Sequence, residues 1–187
     1  MINFLLTKAL AAVFILVTLT LSGCAGSTRL DFTGEAPTPI QPRQHLVVYS
    51  YYDGPKNGLR ALKKFTAQFC EQAQKARCQP AGEVLKETEL VALREHNKLT
   101  DTGRKALEQQ GMDTVVIVKF WGQNTAGDCF AGAGGLNYCP VDKYISHFVY
   151  LLDVNSGDNY KVGNGSTKLK LRSPFGQLTK KVLAELE

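Results

Sequence analysis

One stretch governs how the rest of the chain can be arranged. Val115-Val116-Ile117-Val118-Lys119-Phe120-Trp121 is almost continuously apolar and rich in β-branched residues, which reads as a strand covered on both faces. The flanking segments supply what could cover it. Leu46 to Tyr52 is a second β-branched and aromatic run, closed by the turn residues Asp53-Gly54-Pro55. Leu59, Leu62, Phe65, Phe69, Ala73 and Ala76 then recur at three- and four-residue intervals, the apolar stripe of an amphipathic helix, with Lys63, Lys64, Gln68 and Lys75 on its wet side. A short strand is expected near Gly82–Leu85, after Cys78. A short helix follows around Leu90, Val91 and Leu93, and a third runs from Gly103 to Gln110, capped by Thr100 or Asp101 and ended by Gly111.

Beyond the governing strand, residues 122–143 form a long Gly-rich stretch, expected as a loop. Tyr144–Val154 and Tyr160–Leu171 flank Asn155-Ser156-Gly157-Asp158 and read as a β-hairpin. Ser173-Pro174 supplies an N-cap and first-turn proline for a last helix with Phe175, Leu178, Val182 and Leu186 on one face. The sum is an α/β (α+β) fold: a single mixed sheet with helices packed mainly on one face, occupying residues 44–187 as one domain.

The N-terminus follows a different logic. Lys8 is the only charge before Arg29, and Ala9 to Leu21 is almost wholly apolar. A basic start, an apolar stretch too short to span a bilayer and small residues after it make an export signal over residues 1–23. Its end, Leu21-Ser22-Gly23-Cys24, resembles the bacterial lipobox. That resemblance implies cleavage before Cys24 and acylation there, by a diacylglyceryl thioether and an amide-linked chain such as palmitate, which together hold far better than one chain. Ala25, with no Asp after the cysteine, resembles the pattern sorted to the outer membrane, facing the periplasm. Residues 24–43, rich in Gly, Ser, Thr and Pro, are expected as a flexible lipidated tether.

Without residues 1–23 the 22 basic side chains fall to 21 against 17 acidic ones, a net charge of +4. No dense Lys/Arg run interleaved with aromatics accompanies it, so nucleic acid is not an expected partner. Cys70, Cys78, Cys129 and Cys139 remain once Cys24 is set aside. An even number in an oxidising compartment reads as two disulfides, Cys70–Cys78 and Cys129–Cys139 being favoured because each pair is close in sequence. Loops this short give about 2.5–3 kcal/mol each in the chain-entropy model. No C-x-x-C occurs and His45, His96 and His147 are scattered, so neither metal nor cofactor is expected.

The order of elements, with Glu89-Leu90, Thr102-Gly103, Ala106-Leu107, Gly111-Met112-Asp113-Thr114-Val115-Val116 and, later, Leu152-Asp153-Val154-Asn155-Ser156-Gly157, resembles the periplasmic α/β domain shared by the curli-secretion lipoprotein, the amino-terminal domain of TolB and the lipoprotein activator of peptidoglycan synthase. The resemblance spans roughly residues 46–187 and implies a fold. The cysteine-bounded insert at 122–143 departs from it.

No catalytic constellation stands out. Cys129 to Leu136 is Gly-rich but lacks the Lys and Ser/Thr of a phosphate loop. Asp153-x-Asn155-x-Gly157-Asp158 lacks the distal Glu of a calcium loop. His147, inside an apolar strand, reads as a hydrogen-bonded core histidine. Tyr49, Tyr51 and Tyr52, with Trp121 and Phe130, are candidates for an aromatic contact patch, though packing accounts for most of them. The expectation is therefore a non-enzymatic envelope lipoprotein, held to the membrane by lipid, that binds a protein partner as an accessory or assembly subunit. Phe130, Leu136 and Tyr138 on the insert are its expected anchors. The alternative is a module for an anionic ligand such as lipopolysaccharide or peptidoglycan, met by Lys168, Lys170 and Arg172, which would share one face of a strand.

Overall fold

The computed structural model describes residues 28–34, 45–53, 59–73, 77–126, 130–131, 137–138, 142–169 and 175–186. Six strands form one mixed sheet: β1 (Thr28–Thr33), β2 (His45–Asp53), β3 (Arg77–Pro80), β4 (Thr114–Ala126), β7 (Asp142–Asp153) and β8 (Asn159–Lys168), in the order β1-β8-β7-β4-β2-β3. The half made of β1, β8, β7 and β4 is antiparallel, and β4, β2 and β3 run parallel. Parallel neighbours need crossovers. These are helix α1 (Leu59–Gln72) between β2 and β3, and the short helices α2 (Ala81–Val84), α3 (Glu87–His96) and α4 (Asp101–Gln109) between β3 and β4. Helix α5 (Gly176–Ala184) follows β8.

β4 lies inside the sheet, and its alternating side chains feed two cores. Val116, Val118 and Phe120 join Leu46, Val48, Phe65 and Phe69, together with Phe175, Leu178 and Val182 of the α5 segment. Val115 and Ile117 face the other way, to Val47, Leu85, Leu93, Leu107 and Leu152. All four residues from Val115 to Val118 are fully buried, as a strand with both faces covered requires. The two faces differ in extent of cover. α1 and α5 line the first, while α2, α3 and α4 gather over one end of the second.

Several elements sit where the sequence places them. The β7–β8 hairpin turns at residues 154–158, and Thr100 caps α4 by accepting from the Gly103 amide at 3.1 Å. Gly111 follows the end of α4. The last helix is described from Gly176, and Ser173-Pro174 lie outside the described residues.

Four expectations change. Residues 24–43 are not a tether throughout, because Thr28–Thr33 is an edge strand paired with β8. Its period-two pattern, with Thr28 and Leu30 buried and Arg29 and Asp31 exposed, is hidden among Gly, Ser, Thr and Pro. Gly82–Leu85 is not a strand. The strand precedes it and contains Cys78, and Pro80, at φ −62°, leads straight into α2. The loop expected over 122–143 is shorter, since β4 continues to Ala126 and pairs there with Asp142, with a β-bulge between Trp121 and Gln123 at Gly122, whose φ is +59°. Beyond it Phe130–Ala131 (β5) pairs with Asn137–Tyr138 (β6). Finally, strand β8 ends at Lys168 rather than near Leu171.

β1 can lie on β8 because β8 carries glycines on the core side. A Cβ on Gly165 would stand 1.9 Å from the Arg29 carbonyl oxygen and 2.9 Å from His147 Cε1. One on Gly163 would meet Leu30 and Phe32 within 2.9 Å. The bare backbone makes the groove that Leu30 fills.

Candidate functional site

The sheet face beyond α2–α4 carries the most distinctive surface among the described residues. Strand registers set it out in rows. One row reads Arg29, Ser166, Ser146, Trp121, Asp53; the next reads Asp31, Asn164, Phe148, Lys119, Tyr51; the third reads Thr33, Val162, Tyr150, Ile117, Tyr49. In the last row the aromatic and aliphatic side chains meet the edge of the α3–α4 core. Towards the first row the face opens. Trp121 is 42% exposed, the single large apolar side chain so placed among the described residues.

Rings on neighbouring strands support one another. Trp121 stacks on Phe148, with centroids 6.1 Å apart and planes inclined by 13°, and Phe148 lies 6.4 Å from Tyr150. Tyr49 and Tyr51 are 5.6 Å apart on β2. Lys119 lies against the second group: its Nζ sits 5.9 Å over the Tyr51 ring and 2.7 Å from Asp53 Oδ2. Burial, then the nearby Tyr150 and Asp53, push the Tyr51 phenol up to about 12. It therefore stays protonated and donates to the Arg94 carbonyl at 3.2 Å. The charges of this face are paired, with Arg29 on Asp31 at 2.9 Å as well as Lys119 on Asp53. Such an arrangement offers flat apolar contact with a polar margin, and no nucleophile beside a base.

Other sequence candidates fall elsewhere. Tyr52 points to the opposite face and packs against the α1–α5 core. His147 is fully buried there, bonded through Nε2 to Thr167 Oγ1 at 3.0 Å, and Thr167 continues to Thr28 Oγ1 at 3.3 Å. Burial pushes its imidazole down to about 4, so it is a neutral core histidine that helps hold β1. Cys70 and Cys78 form the expected disulfide, tying α1 to β3. Cys24, Cys129, Cys139, Leu136, Lys170 and Arg172 lie outside the described residues. Phe130 pairs with Tyr138 in the backbone ladder, and Lys168 pairs with Tyr144. Among the described residues, no group of three His, Cys, Asp or Glu side chains is placed to hold a metal ion.

Phe148, Tyr150 and Lys119 were absent from the sequence candidates. The alternation of Tyr144, Ser146, Phe148 and Tyr150 against Ile145, His147, Val149 and Leu151 separates two faces of β7. It does not say which one the helices leave open.

No protein-family model matches the chain, and a search of curated proteins finds no match. Solved structures with a similar course include lipoprotein GNA1162 from Neisseria meningitidis, at 15% identity and a TM-score of 0.43, covering 78% of this chain and 98% of that one. The PelC dodecamer from Paraburkholderia phytofirmans is 13% identical with a TM-score of 0.41, over 86% and 94% of the two chains. The hypothetical protein CT253 from Chlamydia trachomatis is 10% identical with a TM-score of 0.43, over 77% and 93%. Likenesses at this level carry no argument about function.

Proposed function

We propose that the protein is a cell-envelope lipoprotein, anchored through Cys24, that works without catalysis as an accessory or assembly subunit bound to a protein partner. The observation that carries this reading is the short charged start, apolar run and Leu21-Ser22-Gly23-Cys24 junction. A Cys70–Cys78 bridge accords with an oxidising compartment. The outer membrane, with the domain in the periplasm, is the address that Ala25 favours.

Metabolic labelling with palmitate tests the anchor: the wild type takes up label and Cys24→Ala does not. Equal labelling of both would sink it. Mild solubilisation followed by co-purification tests the role, where a stoichiometric protein band is the expected result. Bound glycolipid or glycan in place of that band would favour the anionic-ligand module instead.

A further inference from the structure

Trp121 and its stacked partner Phe148 lie towards the end of the face away from the α2–α4 core, and the strand register relates that end to the proposed anchor. Three residues separate Cys24 from Thr28, the first residue of β1. Fully extended, that connection spans at most about 14 Å. Arg29, the second residue of β1, shares a row with Trp121. Only β8 and β7 stand between their strands, a lateral distance of about 14 Å. The lipid attachment point and the exposed indole are therefore at the same end of one rigid sheet.

We infer that this end of the sheet face rests on the bilayer that receives the Cys24 lipid, with Trp121 inserted at headgroup level. The inference rests on the lipoprotein reading given above. A membrane surface is the occupant that the short connection brings within reach, and its chemistry suits the face. An indole or phenol ring has an apolar body and a polar edge, the combination that gathers where hydrocarbon meets water. Phe148 stacks against the indole. Arg29 and Lys119 are each paired with a carboxylate, so ring insertion is expected to carry more of the contact than their charge does, and salt to weaken it little.

The chain contains one tryptophan, so the native protein carries its own reporter. The mature lipidated protein is reconstituted into phosphatidylethanolamine–phosphatidylglycerol vesicles containing lipids brominated near the headgroup end of their acyl chains. Trp121 emission is expected to shift to the blue and be strongly quenched, equally at low and high salt. A second reporter, Lys180→Trp in a Trp121→Phe background, places the indole at an exposed position of α5 on the opposite side of the sheet and is expected to stay unquenched. If the palmitate-labelled protein floats with the vesicles while Trp121 remains unquenched, the inference is overturned and the lipoprotein reading stands. Trp121 that escapes lipid quenching yet is shielded from a water-soluble quencher overturns it too, and assigns the face to a second copy or a protein partner. Quenching of the α5 reporter in place of Trp121 would reverse the orientation and refute it. Absence of acyl chains on Cys24 removes both readings.

Discussion

At the scale of single residues, His147 shows how much burial can decide. Its ring is enclosed by Phe120, Thr167 and the bare backbone of Gly165, with Thr28 beyond, and no carboxylate is among these neighbours to favour the charged form. The folded value of about 4 lies below the roughly 6.5 of an unfolded histidine. The unfolded chain thus binds the extra proton first on acidification. Stability from this group is complete above about pH 6.5, declines as pH falls from 6.5 towards 4, and is lost by about 3 kcal/mol below that window. His147→Gln is expected to remove this part of the slope. The check compares urea midpoints of wild type and variant near neutrality and at about pH 4. Parallel pH profiles would show that His147 does not titrate across folding. That His147 is a core residue is legible in the apolar strand around it. Its tie to Thr28 was illegible, because nothing in the alternation of β7 reveals a strand 119 residues earlier lying two strands away.

Elements were legible in proportion to how much of their pattern is local. The apolar runs of β2 and β4, the stripe of α1 and the cap of α4 depend on neighbours in sequence. β1 does not: it needs Gly163 and Gly165 of β8 to admit Leu30 and Phe32, and no window around residue 30 contains that information. Gly165→Ala is accordingly expected to loosen β1, because backbone rather than a flexible side-chain tip blocks the new methyl. A cost of about 1–3 kcal/mol is in the range of overpacked cores. Hydrogen exchange should locate it, with faster exchange over residues 28–33 than in the parallel strands. Unchanged protection there would count against the close approach. The Gly-rich insert was misjudged for a related reason, since its bulge at Gly122 lets a strand continue where composition suggests a loop. Within the insert, Phe130 pairs with Tyr138 in antiparallel register. Cys129 and Cys139 lie outside the described residues, and their pairing rests on their closeness in sequence. Non-reducing peptide mapping is expected to recover Cys129 joined to Cys139, alongside Cys70 joined to Cys78. Free thiols at 129 and 139, or crossed partners, would refute that pairing.

For the molecule as a whole, the decisive change is that Thr28–Thr33 belongs to the sheet. A flexible tether over 24–43 would let the domain roam and could be removed at no cost to the fold. With β1 in the sheet, removing residues 24–43 strips β8 of its neighbour. It exposes the groove over Gly163 and Gly165, and leaves the Thr167 hydroxyl and His147 without Thr28 at the end of their chain. Leu30, 7% exposed, loses its place in the core, and burying a leucine side chain alone is worth roughly 1.5–3 kcal/mol. A chain starting at residue 44 is therefore expected to unfold at a lower urea concentration than one starting at residue 24, with Leu30→Ala in the longer chain reproducing about 2–5 kcal/mol of the loss. The shorter chain should also show a smaller denaturant slope, because less surface is left to expose. Both chains are made without lipid, so the comparison isolates folding from membrane attachment. Identical midpoints and slopes would mean that β1 contributes nothing to stability, and residues 24–43 would then behave as a tether after all. A lower midpoint for the shorter chain would mean that residues 28–33, only three residues after Cys24, help hold the sheet together.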